Sequence, residues 1–190
     1  MSPRSIPLDG FRLEASEAVA DAAAEARRLL DPASAERTVH WGRNYLYLAR
    51  IELAGGPAPV VVKQFRGDTR RDRLRRRLGA GGRARRSWET ARALLAAGLP
   101  TPEPLLLVEP LDPSGPSLYV CRHLADRVEA RYLLRARAAG SEREEFPAID
   151  FGAFLDATAA LARRLHDAGF WHRDLSGGNL LIAPGETPAE

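Results

Sequence analysis

The chain has 190 residues, of which 45% are hydrophobic and 28% are charged, and its formal net charge is +3. This composition excludes an intrinsically disordered chain, no apolar run is long enough to span a membrane, and the single cysteine, Cys121, excludes an internal disulfide framework. Residues 1–10 lack the apolar core of a signal peptide, so we expect a protein that is not secreted.

The first third of the chain predicts one helix followed by strands. Apolar residues near helical spacing predict a helix over residues 13–30, which ends before Pro32. Residues 38–53 alternate between apolar and polar around a turn at residues 42–44, and the β-branched run at residues 60–65 predicts a further strand. We therefore expect a meander of about three strands.

The remainder predicts a helix, a hairpin and then mostly helix. Residues 83–97 have their apolar side chains on one face and precede Gly98, which is typical of a helix end. The later predicted elements are a hairpin at residues 105–109 and 117–121, helices at 126–138 and 150–168, a polar loop at 172–179 and a strand at 180–182. This order predicts an α+β fold with a boundary near residues 121–124.

Positive charge is concentrated in one segment. Residues 66–86 contain ten Arg and two Asp, a net charge of +8, which leaves −5 for the rest of a chain whose total is +3. Such a segment is either a solvated helical face or a surface for anionic lipid or sugar phosphates. A nucleic-acid partner is not expected, because the segment has no interleaved aromatic residue and the rest of the chain is acidic.

Lys63 is the only lysine among 28 basic residues, and the other 27 are arginine. A single lysine in such a chain indicates a position that requires a compact ammonium group and does not tolerate a planar guanidinium. It ends the apolar run Val60-Val61-Val62. Taken alone, a lysine at the end of a strand is usually a solvated edge charge.

The loop at residues 172–179 has Asp174 five residues before Asn179. In a turn-rich loop this spacing brings a carboxylate close to an amide oxygen. The carboxylate can orient or deprotonate a hydroxyl, and the amide oxygen can hold Mg²⁺. The alternative is that Asp174 only caps a turn and Asn179 only completes it.

These residues resemble those of a known family. The stretch from His172 to Asn179 is similar to the H-R-D-x-x-x-x-N catalytic loop of the protein-kinase-like fold, and residues 60–63 resemble its V-A-I-K strand. The closest resemblance is to the lipopolysaccharide kinase family, bacterial enzymes that phosphorylate Kdo or heptose of the lipid A core. It is carried by residues 61–65, 85–104 and 165–175, and extends roughly over 39–182.

The resemblance implies a two-lobed protein-kinase-like α+β fold. It predicts an N-terminal helical extension over residues 1–36 and a small lobe over 37–121 with an antiparallel sheet and one helix. Residues 122–190 would form part of a helical large lobe that ends just after the catalytic loop.

The resemblance also implies ATP and Mg²⁺, with transfer of the γ-phosphate to a hydroxyl of a lipopolysaccharide core sugar. Asp174 would be the catalytic carboxylate, Lys63 would hold the α- and β-phosphates, Glu89 would pair with Lys63, and Asn179 would bind Mg²⁺. The family implies a cytoplasmic protein that works at the inner membrane face, where residues 66–86 would meet anionic lipid.

Two departures from the kinase pattern leave alternatives open. No Asp follows Asn179, although kinases place a metal-binding Asp after the next strand, and Ser176 stands where many protein kinases carry Lys. We therefore expect a fragment of a longer kinase or a shortened, non-catalytic nucleotide-binding relative. A protein or small-molecule kinase of the same fold is a further alternative.

Overall fold

The structure, a computed structural model, describes residues 3–42, 44–67, 72 and 81–183. The chain forms two compact units, Met1–His123 and Leu124–Glu190. An antiparallel sheet and helices are both present, so the predicted α+β class is confirmed. None of the helices in the described ranges has the length and hydrophobicity needed to cross a membrane.

The first unit is built on a seven-stranded antiparallel sheet. Its strands in chain order are β1 (Arg4–Leu8), β2 (Phe11–Ala15), β3 (Arg37–Trp41), β4 (Asn44–Leu53), β5 (Gly56–Phe65), β6 (Pro104–Pro110) and β7 (Ser117–Arg122). Their order across the sheet is β1-β2-β6-β7-β5-β4-β3. The predicted hairpin at residues 105–109 and 117–121 is present as β6 and β7, and it pairs with β5 through β7.

Two helices pack on opposite faces of this sheet, α1 (Ala22–Leu30) and α2 (Arg83–Ala96). Side chains alternate along a strand, so Val60 and Val62 pack with the core beneath α1, whereas Phe65 packs with Trp88 of α2. The predicted helix over 83–97 is confirmed. Gly98 follows it with φ of +69°, a left-handed conformation that favours glycine.

The predicted helix over residues 13–30 is wrong in its first part. Residues 11–15 form β2, which pairs with β1 and β6, and α1 begins only at Ala22 after the Asp21 side chain caps Ala24 N. The local composition favours helix, but Leu13 and Ala15 are buried against the sheet, and this burial outweighs helix propensity. Residues 1–36 therefore contain a β-hairpin as well as a helix.

The second unit is mainly helical. Its elements are β8 (Val128–Glu129), α3 (Ala130–Ala139), α4 (Glu142–Glu145), α5 (Phe151–Asp167) and β9 (Leu181–Ile182). A small core of Ala130, Leu133 and Phe154 joins α3 to α5. The helix predicted over 126–138 starts at residue 130, because residues 128–129 pair with β9.

Candidate active site

Lys63 lies on β5 in direct register with Leu46 of β4 and Tyr119 of β7. In the same ladder Cys121 pairs with Val61. Directly paired residues, and residues two apart on a strand, place their side chains on one face of a sheet. Lys63, Tyr119 and Cys121 therefore share the face of the sheet that α2 covers.

The surroundings of the Lys63 ammonium are aromatic and positive. Lys63 Nζ lies 5.3 Å from the centre of the Phe65 ring, and Arg83 Cζ lies 5.4 Å from the same ring. Burial lowers the pKa of Lys63; the nearby Cys121 opposes this shift and the Arg83 charge adds to it. Within the described ranges no carboxylate forms an ion pair with Lys63. A half-buried ammonium that has no carboxylate partner among the described residues suits an anionic ligand such as a phosphate.

Glu89 does not contact Lys63 in this structure. Its side chain is 56% exposed, and its Oε1 lies 3.6 Å from Nη1 of Arg85, one helical turn away. Its neighbour Trp88 is buried against the sheet. Successive helical residues are about 100° apart around the axis, so Glu89 is turned away from the buried face. The pair between Glu89 and Lys63 that the resemblance implies is not formed.

The loop between α5 and β9 brings Asp174 and Asn179 together. Asn179 Nδ2 donates to the Asp174 backbone oxygen at 2.9 Å and to its carboxylate Oδ2 at 3.2 Å. The same amide donates to Ser176 Oγ at 3.2 Å, and Asn179 N donates to the Ser176 carbonyl at 2.9 Å. The Asp174 side chain is exposed, so its carboxylate is accessible to a hydroxyl group.

Asn179 fits the role of a metal ligand. Its amide nitrogen makes the contacts above, which leaves its amide oxygen without a donor among the described residues. Mg²⁺ is commonly held by one or two protein oxygens together with water and substrate phosphates. In the part of the chain that the structure describes, no three His, Cys, Asp or Glu residues form a metal cluster. Asn179 would therefore supply one ligand to an ion that nucleotide phosphates also bind. When bound there, Mg²⁺ would neutralise part of the charge of those phosphates.

Most of the basic segment 66–86 lies outside the described residues. Of its described arginines, Arg85 contacts Glu14 and Glu109 at 2.8 and 2.6 Å. Arg83 and Arg86 both face Asp72, at 3.5 and 3.9 Å. These three charges are thus engaged within the first unit.

The structure adds three residues to the predicted site: Tyr119, Cys121 and Arg83. The alternation of side chains along the predicted strand 117–121 placed Tyr119 and Cys121 on one face, but nothing in the sequence set the register that brings them to Lys63. In the sequence, Arg83 is one of ten arginines in the basic segment, and no pattern distinguishes it from the others. Burial raises the pKa of the Cys121 thiol to about 11.

Comparison with curated proteins finds no match for this chain. Comparison with protein families matches residues 58–190 to the lipopolysaccharide kinase (Kdo/WaaP) family. The matched part contains Lys63, Glu89, Asp174 and Asn179, and it covers well over half of the chain. The resemblance drawn from the sequence is confirmed, and the chain belongs to the lipopolysaccharide kinase (Kdo/WaaP) family.

Proposed function

We propose that the protein transfers the γ-phosphate of ATP to a hydroxyl group of a lipopolysaccharide core sugar. Lys63 holds the α- and β-phosphates, and Asn179 contributes an oxygen to Mg²⁺. Asp174 orients the acceptor hydroxyl and receives its proton as the oxygen bonds to the γ-phosphorus. The bond from that phosphorus to the bridging oxygen breaks, and ADP leaves. Family membership supports a phosphotransferase, and the sugar acceptor and the residue roles are our proposal.

The contact between Asn179 and Asp174 is the observation that carries this proposal. One amide group touches both the backbone and the carboxylate of Asp174, so the metal-binding candidate and the base candidate are held in one small loop. Phosphoryl transfer depends mainly on positioning and charge stabilisation, which such a loop supplies.

The direct test replaces Asp174 with Asn. We expect phosphoryl transfer to a Kdo-terminated lipid A acceptor to fall at least about 100-fold, because the base is lost, while ATP affinity changes little. Transfer is measured with γ-labelled ATP, and ATP binding by calorimetry. The matched control is Asp156→Asn, which alters an exposed carboxylate on α5. Unchanged turnover in Asp174→Asn contradicts the proposed role.

A second candidate is a nucleotide-binding module without transfer. It is favoured by one observation, the pairing of Glu89 with Arg85 instead of Lys63. This candidate predicts that wild-type protein binds ATP through Lys63 and yet transfers no phosphate to any sugar, protein or aminoglycoside acceptor. The transfer assay with those three acceptor classes distinguishes the two candidates, because only a phosphotransferase labels an acceptor. The acceptor that becomes labelled identifies its class.

A further inference from the structure

Arg131, which the proposed function does not use, is attached to the candidate catalytic loop. Arg131 N donates to the Gly177 carbonyl at 2.9 Å, and Ala130 N donates to the Leu180 carbonyl at 2.9 Å. Next to these bonds, Glu129 pairs with Leu181 in the β8–β9 ladder. The backbone at the start of α3 is therefore hydrogen-bonded to the loop that contains Asp174 and Asn179 and to the residue that follows it.

The Arg131 side chain lies against the glycine that precedes Asn179. A Cβ atom added to Gly178 would lie 3.3 Å from both Cζ and Nη2 of Arg131. A Cβ atom added to Gly177 would lie 3.0 Å from Arg131 N and Cα. Both glycines thus permit a close approach that a larger residue would hinder, and this approach brings the guanidinium to within one residue of Asn179.

Among the described residues the Arg131 guanidinium is hydrogen-bonded along one edge only, and its Cζ lies 6.0 Å from the centre of the Tyr132 ring. Its Nε donates to Glu129 Oε2, and among the described residues neither Nη atom has a hydrogen-bond acceptor. The side chain is 46% exposed. An arginine held through Nε presents its two Nη atoms as a planar fork, which matches the paired oxygens of a carboxylate or phosphate.

Helix stability does not explain this arginine. Arg131 lies in the first turn of α3, where the helix dipole disfavours a positive charge, and that turn has no acidic residue. Its ion pair with Glu129 is exposed, and exposed pairs contribute little to stability.

From these contacts we propose that Arg131 is a specificity-determining residue that binds an anionic group of the acceptor through its Nη fork. The inference rests on the proposed function, because it places the acceptor at Asp174. It narrows the acceptor to a sugar with a carboxylate or phosphate close to the reacting hydroxyl. Glu129 acts as a positioning residue that fixes the guanidinium by its opposite edge.

The test compares two probes that differ in one charge: the methyl glycoside of Kdo, which carries a carboxylate, and its methyl ester, which does not. We expect wild-type protein to bind the acid about tenfold more tightly than the ester, as a charge-assisted bidentate contact provides. Arg131→Gln should abolish this preference. Arg131→Lys, which keeps the charge without the fork, should retain only part of it.

Two further variants show whether the preference for the acid depends on the position of the Arg131 guanidinium. Arg135→Gln removes an exposed charge one turn further along α3 and should keep the full preference. Gly178→Ala retains Arg131 but crowds its guanidinium, and should reduce the preference. Circular dichroism and thermal unfolding show whether each variant is folded.

The outcomes separate this inference from the proposed function, because binding does not require transfer. Equal binding of acid and ester by wild-type protein, or no binding of either, overturns the role of Arg131. A loss of ATP affinity in Arg131→Gln, with the preference for the acid unchanged, also overturns the acceptor-binding role of Arg131. That result would mean that the two Nη atoms bind the nucleotide. An Arg131-dependent preference without phosphoryl transfer to any acceptor supports the anion site and contradicts the proposed function.

Discussion

At the scale of single residues, Lys63 is the clearest case of a side chain in an unusual environment. Its ammonium is half-buried beside Phe65 and Arg83, and in the described residues it has no carboxylate partner. Burying a charge without a counter-ion costs free energy. A bound polyphosphate offsets that cost, so nucleotide binding and the charge state of Lys63 should depend on each other.

We expect Lys63→Met to weaken ATP binding at least about tenfold, because the ammonium–phosphate contact is lost. The folded protein should be as stable as the wild type or more stable, because an unpaired buried charge is replaced by an apolar chain. Calorimetric titration with ATP and urea unfolding measure the two effects. Arg122→Met, which removes a cation on β7 that pairs with Glu103, is the control for ATP affinity. Equal ATP affinity in wild type and Lys63→Met contradicts the assignment.

Cys121 gives a prediction at alkaline pH. Its folded-state pKa is raised by burial from 9.0 to about 11. A raised pKa stabilises the fold below pH 9, and this contribution is lost as pH rises to about 11, since the unfolded thiol ionises first. We expect the stability of wild type relative to Cys121→Ala to decrease by about 2–3 kcal/mol across that window. Urea unfolding of both proteins at pH 8 to 11 checks this, and a difference that stays constant contradicts it.

At the scale of elements, α2 is attached to the sheet by apolar contacts and by arginine side chains, among them Arg85. Trp88 and Ala84 pack with Phe65 and Leu107. Arg85 reaches across to the side chains of Glu14 on β2 and Glu109 on β6. Burial lowers the pKa of Arg85, but the hydrogen bonds that its guanidinium donates to these two carboxylates raise the pKa overall, so Arg85 stays charged at any working pH. This arginine fixes the rotation of α2 and with it the position of Glu89.

Arg85→Met should destabilise the first unit by about 3 kcal/mol, because Glu109, with 6% of its side chain exposed, loses its contacts with the guanidinium. The double variant Arg85→Met, Glu109→Met should regain most of that loss, since both members of the pair are removed. Arg92→Met, also on α2, is the control. Urea unfolding monitored by tryptophan fluorescence measures all three, and a loss below 1 kcal/mol in the single variant contradicts the prediction.

At the scale of the whole molecule, the two units differ in how much apolar surface they bury. Both core clusters on the seven-stranded sheet lie within residues 1–123. Among its described residues, the second unit has a core cluster of three buried apolar side chains, and Leu155, Trp171 and Leu181 are exposed at 50%, 77% and 45%. Burial of apolar area is the main stabilising contribution in small domains.

We therefore expect a protein of residues 1–123 to fold alone with a single cooperative urea transition, because both core clusters of the described residues on the sheet lie within it. Residues 124–190 alone should show no cooperative transition. Amide NMR dispersion and urea unfolding of the two pieces test this. The buried indole of Trp88 reports on the first piece, and the exposed Trp171 reports on the second. A collapsed NMR spectrum for residues 1–123 contradicts the prediction.

The sequence determined the local elements whose signals lie within a few residues of one another. It predicted α2 with its glycine end, the β6–β7 hairpin, the helix α5, and a loop that brings Asp174 near Asn179. Helical and strand periodicity, turn residues and motif spacing are local properties that a single chain displays. The family resemblance was likewise carried by short contiguous segments.

Only the tertiary structure decided contacts that join distant parts of the chain. It made residues 11–15 a strand despite their helical composition, because pairing with β6 buries Leu13. It paired Glu89 with Arg85, because the rotation of α2 is set by the burial of Trp88 and by carboxylates on two other strands. It also brought Arg131 to Gly178 through a two-residue ladder, in which the sequence predicts the strand at 180–182 but not its partner at 128–129. Register and helix rotation depend on the whole core, and for that reason local patterns do not determine them.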